Sequence, residues 1–276
     1  MSTAALLFDA PGPRALARHR LYGVAVTIAV TAVVAFVVHR LSATGQFDGD
    51  LWEWLHYKQI QMALLDGYVN TLRAFGLGAV LAVLTGILLG LGRLSEHKAV
   101  RGPATAAVQL FRAMPLVVMM FLFYYGLPAV GITVSTYTAV VAALTVNNGS
   151  VLAEVFRAGV LALPAGQTEA AYALGMRKGQ AMRLVLLPQA VRAMLPSIVS
   201  QLVILLKDSA LGFLILYPEL LYQARLLGSD GALGRPLLPV AFVVAVIYIS
   251  SCLLLAALAS YLERRTRRSR RAADAC

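Results

Sequence analysis

Long apolar runs alternate with short polar segments along the chain. A membrane-spanning helix needs roughly 20 mostly apolar residues to cross the hydrocarbon core. Five runs reach or approach this length, and they cover residues 21–38, 74–92, 113–153, 193–217 and 236–262. The third run is long enough for two spans and contains the turn sequence Leu-Pro-Ala-Val-Gly at residues 127–131. The pattern therefore predicts an all-helical integral membrane protein with six transmembrane helices.

Composition supports a protein that spans the membrane several times. The chain has 276 residues, of which 59% are hydrophobic and 13% are charged, whereas soluble domains carry about 25% charged residues. Its two cysteines are Cys252, inside an apolar run, and Cys276 at the end, so no structural disulfide is expected. The first apolar run is too long for a typical secretory signal and has no small-residue cleavage site, so a first membrane helix is expected there.

The basic residues indicate the orientation. Cytoplasmic loops of membrane proteins are enriched in Lys and Arg, and with the N-terminus inside, most of the 24 basic residues fall in inner segments. The outer segments then hold only Arg40, Lys58, Arg225 and Arg235. We therefore expect both termini in the cytoplasm. A nucleic-acid partner is not required to explain the net charge of +11, because the arginines of the 263–276 tail are expected to touch anionic membrane lipid.

A polar segment of about 35 residues, 157–190, separates the fourth and fifth predicted spans. Gln167 and Thr168 precede Glu169, which predicts a helix start with an acid in the first turn. Gly175 follows as a C-terminal cap that can adopt positive φ, and Pro188 marks a point where a second helix bends or begins. From these residues alone, the segment is either a docking element or an amphipathic helix lying at the lipid headgroups.

This segment resembles the EAA loop of ATP-binding-cassette (ABC) importer permeases. The match consists of Glu169, Ala170, Ala171, Gly175, Val185, Leu187 and Pro188. Flanking sequences at 111–116, 124–128, 153–157, 187–190 and 207–211 look like the polar amino acid subfamily, which serves glutamate, glutamine, arginine and histidine. Residues 8–13 are similar to glutamate-uptake permeases of actinobacteria, and this similarity favours glutamate.

The resemblance implies a domain plan. Residues 67–262 would form a five-helix type I importer core with its coupling loop at 157–190. Residues 1–20 would be a cytoplasmic tail, 21–41 an additional membrane helix, 42–66 an external segment and 263–276 a basic cytoplasmic tail. The protein would lie in the bacterial cytoplasmic (inner) membrane.

The resemblance also implies partners. Two ABC ATPase subunits, a second permease subunit (identical or homologous) and an extracytoplasmic amino acid-binding protein would complete the importer. The residues expected to couple to the ATPase are Glu169, Ala170, Ala171, Gly175, Arg177, Lys178, Leu187 and Pro188. The charged members can pair with a partner's charges, and the alanines allow close approach.

Five polar residues within the predicted spans are candidates for the substrate path: Asn147, Asn148, Glu154, Lys207 and Asp208. Such residues cost a few kcal/mol each in a membrane unless they find partners or a water-lined cavity. The alternative for each is a structural role between helices. Glu154 and Arg157 are three residues apart and can pair on one helix face.

The chain has no sequence pattern for ATP hydrolysis. A phosphate-binding loop requires Gly-Lys-Ser/Thr, and none of the lysines (Lys58, Lys98, Lys178 and Lys207) follows a glycine. The four histidines form no zinc-binding pattern, and no nucleophile elbow is present. We therefore expect a permease rather than an enzyme, with no bound metal or cofactor, and with ATP and magnesium on a partner ATPase. The competing interpretation is a secondary transporter or channel independent of ATP.

Overall fold

The computed structural model describes residues 12–273, and the side chains of residues 14–261. Within them the regular secondary structure is entirely helical, and turns and short loops connect the helices. The helices are α1 Pro13–Ala43, α2 Lys58–Arg93, α3 Lys98–Ala113, α4 Leu116–Ala129, α5 Thr136–Leu161, α6 Ala165–Ala173, α7 Lys178–Ile215, α8 Leu220–Gly228 and α9 Leu237–Ala273. Short 3-10 helices cover Gly49–His56 and Gly231–Leu233. Part of the segment similar to glutamate permeases, residues 8–11, lies outside the described residues, as does Cys276.

The chain divides into two units, residues 1–53 and 54–276. The first contains α1, whose most apolar window is 0% buried. The helix begins at Pro13, since a proline at the first position loses no helical hydrogen bond. It ends where the Thr44 N–H donates to Arg40 O at 3.1 Å and Gly45 takes a φ of +70°. An apolar helix exposed all round is typical of a span that faces lipid.

The second unit is built on close packing of α2 against α5. Small residues form the buried stripe of α2, and they include Gly67, Thr71, Ala74, Gly78, Ala82, Gly86 and Gly90. A Cβ atom on Gly86 would lie 2.7 Å from the Leu152 Cβ atom and 3.2 Å from the Gly149 carbonyl oxygen. Small residues at such interfaces let membrane helices approach closely, which replaces the missing hydrophobic driving force.

The third predicted span, which starts near Ala113, corresponds to α4. Sequence reasoning did not predict α3 in front of it, which ends at Ala113 and meets α4 at a bend of 102°. Pro115 lacks an N–H group and disfavours helical geometry in the residue before it, and Met114 is accordingly extended, with φ −86° and ψ 129°. Within residues 12–273, five single helices are long and apolar enough to span, and the bent α3–α4 pair brings the total to six if it counts as one span.

The fifth span begins earlier than predicted. Residues 178–190, the end of the coupling segment, and most of the apolar run at 193–217 belong to one helix, α7, which is 38 residues long. Its residues 181–186 form a π-type turn immediately before Leu187 and Pro188. Pro188 has no N–H to donate to the preceding turn, so this local widening absorbs the proline without ending the helix.

Candidate functional site

Helix α6 projects between α5 and α7 as a separate short element. Pro164 precedes it, and the Gln167 N–H donates to the Pro164 carbonyl at 3.0 Å. The helix therefore begins at Ala165, and no acid lies in its first turn. The predicted start at Gln167 and Thr168, with Glu169 in the first turn, was wrong because Pro164 starts the helix one half-turn earlier.

The predicted glycine turn is present after α6. Gly175 has a φ of +76°, its N–H donates to Tyr172 O at 2.9 Å, and the Met176 N–H donates to Ala171 O at 3.1 Å. This pair of hydrogen bonds is the Schellman arrangement, which satisfies carbonyls left open at a helix end. The turn sets the angle between α6 and α7.

The coupling residues separate into a packed side and an open side. Ala171 is only 2% exposed and packs within the chain, and the Gln189 side chain donates to Gln167 Oε1 at 3.1 Å, which joins α7 to α6. On the open side Glu169, Ala170, Gly175 and Arg177 are exposed, as are Tyr172 and Leu174. Leu187 is half-buried and Pro188 is exposed.

Lys178 has a partner within the chain. Its ammonium group forms a salt bridge with Glu96, in the loop between α2 and α3. Hydrogen bonding by Lys178 holds the pKa of the Glu96 carboxyl below its usual value. The neighbouring Arg177 N–H donates to Gln180 Oε1 at 2.9 Å, which starts α7. The loop at Glu96 is therefore connected to the coupling segment.

Glu154 lies among three arginines. Its Oε1 accepts from Arg157 Nη2 at 2.6 Å and Arg157 Nε at 3.1 Å, so the predicted pairing on one helix face forms. Its Oε2 pairs with Arg93, the last residue of α2. The Arg112 guanidinium, near the end of α3, is 3.7 Å from the same oxygen.

The other polar candidates lie along α5 and α7. Asn147 donates to the Met114 carbonyl at 3.4 Å. Asn148 is fully buried, accepts from Gln201 Nε2 at 2.7 Å and interacts with the half-buried Asp208. Lys207 is exposed and lines an apolar groove of about 700 Å³ between α7 and α9. Sequence reasoning did not find Gln201, which holds Asn148 in place.

Sequence reasoning also missed Glu219, a carboxylate that is fully buried. It caps α8 by accepting from Leu221 N at 2.8 Å and Tyr222 N at 2.7 Å, and Tyr248 Oη on α9 donates to it at 2.7 Å. Burial raises the pKa of Glu219, although these hydrogen bonds act in the opposite direction. An acid directly before an apolar helix is a sequence indication of such a cap.

The segment before Glu219 is tied to α2. The Tyr217 hydroxyl donates to the Asn70 carbonyl at 2.8 Å, and the Asn70 side chain donates to the Pro218 carbonyl at 2.9 Å. Burial raises the pKa of Tyr217 to about 12. Among the described residues, no group of three His, Cys, Asp or Glu side chains is placed to hold a metal ion.

The spans and the bent helix pair together define a polytopic membrane protein, with the short exposed helix α6 between two of its spans. Comparison with known proteins identifies the family. The profile described as "binding-protein-dependent transport system inner membrane component" matches residues 82–268. The chain belongs to this family of multi-pass inner membrane proteins, as its motifs predict.

Individual relatives agree with the family assignment. The glutamate transport system permease protein GluD of Corynebacterium glutamicum is 41% identical over 234 residues, which cover 83% of this chain and 85% of GluD. The glutamate/aspartate import permease GltK of Escherichia coli O157:H7 is 34% identical over 212 residues, covering 74% of this chain and 93% of GltK.

Solved structures confirm the fold. An amino acid ABC transporter crystallised with histidines has a chain that is 32% identical, with a TM-score of 0.70, covering 76% of this chain and 97% of that one. The methionine transporter MetNI, at 23% identity and a TM-score of 0.61 over 76% of this chain and 98% of its own, shows the same fold.

Family membership confirms several predictions. The protein is the permease component of a binding-protein-dependent ABC transporter. It has no ATPase activity of its own and binds no cofactor itself, and it works with ATPase subunits and a binding protein.

Proposed function

We propose that this chain is a permease subunit of an ATP-driven glutamate importer. The observation that carries the proposal is the 41% identity to a glutamate permease across 83% of this chain and 85% of the relative. The glutamate/aspartate permease, at 34% identity, supports an acidic amino acid as the substrate.

In this proposal two permease subunits, identical or homologous, enclose the pore. One ATPase subunit docks on the α6–Gly175 turn of each permease, and both chain termini lie in the cytoplasm, with the basic 263–276 tail beside anionic lipid. The open side of α6, with Glu169, Tyr172 and Leu174 exposed, supports docking, since a mixed apolar and charged surface suits a protein partner. The orientation is supported by the basic residues of the inner segments.

The substrate path is proposed to run beside α5 and α7. Lys207 and Asp208 of α7 are its candidate contacts, since they place an ammonium and a carboxylate on this helix, and Asn148 of α5, which is fully buried, contacts Gln201 and Asp208 beside them. Glutamate carries both charge signs, so a path with complementary groups lowers its cost of crossing. Asn147 and Glu154 lie nearer the α3–α4 bend, where both have protein partners.

The proposal is tested by reconstituting the permease with its ATPase and binding protein in liposomes. Labelled glutamate should accumulate with ATP and not with ADP. Unlabelled glutamate should compete, and arginine and histidine should not. Uptake of another amino acid in preference to glutamate would overturn the substrate assignment. Uphill transport by the permease alone would favour the ATP-independent alternative and overturn the docking proposal.

A further inference from the structure

Two polar residues of α5, Asn147 and Glu154, contact the segment that leads into the α3–α4 bend, just before Pro115. Asn147 donates to the Met114 carbonyl at 3.4 Å, and the Glu154 carboxylate lies 3.7 Å from the Arg112 guanidinium. Asn147 and Glu154 are seven residues apart, which is close to two helical turns, so both lie on one face of α5. That face therefore contacts the last turn of α3 and the first carbonyl of the bend.

The same stretch of α5 leads directly into the coupling helix. Glu154 lies two turns before α5 ends at Leu161, and α6 begins at Ala165. The connection is tight: Ala162 N donates to Ala158 O at 2.9 Å and Leu163 N to Val160 O at 3.3 Å. A displacement of α6 is thus transmitted to Glu154 through a short, hydrogen-bonded connection.

The three arginines around Glu154 are held unequally. Arg157 makes two hydrogen bonds to the carboxylate, and the Arg93 side chain is only 10% exposed. Arg112 is the most distant at 3.7 Å, and its side chain is 45% exposed. A partly exposed, long contact costs little to break. Arg112 is accordingly the partner that can leave and return while Arg93 and Arg157 stay bound to Glu154.

We propose that Glu154 is a positioning residue that couples movement of the α6 helix to the α3–α4 bend through an exchangeable contact with Arg112, while Asn147 guides the Met114 carbonyl. This inference rests on the docking role proposed for α6. It gives Glu154 and Asn147 a part in opening and closing the path, and it needs no contact between either residue and the substrate.

The experiment measures ATP hydrolysis and glutamate uptake in the same proteoliposomes, which contain the complete importer. Arg112→Gln and Glu154→Gln should leave ATP hydrolysis within about twofold of the unsubstituted importer and lower the uptake per ATP about tenfold, within the 5- to 150-fold range of allosteric coupling. Glu154→Asp keeps the charge and should recover part of the lost uptake. Arg101→Gln removes a positive charge from an exposed position of α3 and should leave both rates unchanged.

Several outcomes would overturn the proposal. One is a normal uptake per ATP in Arg112→Gln. Another is equal loss of hydrolysis and uptake in Glu154→Gln, which would indicate failed docking or folding. A third is a similar defect in Arg101→Gln. Failure of the docking role itself is distinguishable, because the unsubstituted permease would then not stimulate its ATPase at all.

Discussion

Substitutions of Gly175 test the coupling loop, because its backbone conformation disfavours any residue with a Cβ atom while the space around it would accept one. The residue has a φ of +76°, and a Cβ atom added there would meet no atom within 4 Å. Gly175→Ala therefore introduces no clash, and its cost is the left-handed backbone, about 1–2 kcal/mol for a residue with a Cβ. Asn and Asp enter this region more readily than Ala, so Gly175→Asn and Gly175→Asp are strained less.

Two explanations of the turn predict opposite rankings of the three Gly175 variants by their loss of uptake. If backbone geometry alone matters, uptake should fall most in Gly175→Ala. If the turn lies against an ATPase, added volume and charge matter instead. A carboxylate placed at a docked surface without a partner loses its hydration, so Gly175→Asp should abolish uptake, Gly175→Asn should reduce it and Gly175→Ala should have the smallest effect. We expect the second order, with membrane insertion intact in all three.

The assay compares ATP-driven glutamate uptake at equal amounts of inserted permease and, in parallel, the amount of ATPase that copurifies. The Schellman hydrogen bonds use only backbone atoms, so they persist in each variant and the comparison isolates the added side chain. Normal uptake and normal copurification in Gly175→Asp would refute the coupling assignment. A greater loss of uptake in Gly175→Ala than in Gly175→Asp would show that backbone strain determines the effect.

Three further substitutions test the packing and the caps. Gly86→Ala should destabilise the protein by about 1–3 kcal/mol through overpacking, since its Cβ would lie 2.7 Å from Leu152. Gly76→Ala is the matched control with open space around it, and an equal loss of thermal stability in both would contradict the packing argument. Because burial raises the pKa of Glu219, the folded state holds that proton more tightly, and the stabilisation is lost as pH rises above about 4.5, the ordinary value. Glu219→Gln should therefore flatten the fall of the melting temperature as the pH rises above about 4.5, and an unchanged slope of melting temperature against pH would contradict this account. Ser135→Ala should cost about 1 kcal/mol by removing the cap on Thr138 N at 3.1 Å, visible in a denaturant or heat titration; no change would show that the cap is dispensable.

Local chemistry accounts for the features that the sequence predicts well. The spans follow from hydropathy, and the Gly175 turn follows from a glycine after a short alanine-rich helix. The break at Pro115 is also local, since the ring restricts its own backbone and that of Met114. The 102° angle is not local. It depends on contacts from α5, including Asn147 on the Met114 carbonyl.

The parts of the site that sequence reasoning missed depend on residues far apart in the chain. The Glu154–Arg93 pair joins positions 61 residues apart, and the Lys178–Glu96 pair joins positions 82 apart. The buried state of Glu219 requires Tyr248 from α9. A single sequence shows which charges exist, and only the packing of the helices shows which of them meet.

Glu154 and Glu219, two carboxylates of the second unit, differ in how easily a hydrogen-bond partner can leave, and this difference bears on which helices move. Glu219 is fully buried, and its contacts with α8 and α9 are all short hydrogen bonds, so releasing any donor would leave a buried polar group unsatisfied. Glu154 is partly exposed and its third arginine is held at 3.7 Å, so one partner can leave at little cost. A force applied at α6 should therefore shift the α3–α4 bend while the Glu219 junction stays closed. Distance measurements between labels on α3 and α5, and between labels on α8 and α9, should show change only in the first pair when ATP is added. Movement confined to the second pair would contradict this division of roles.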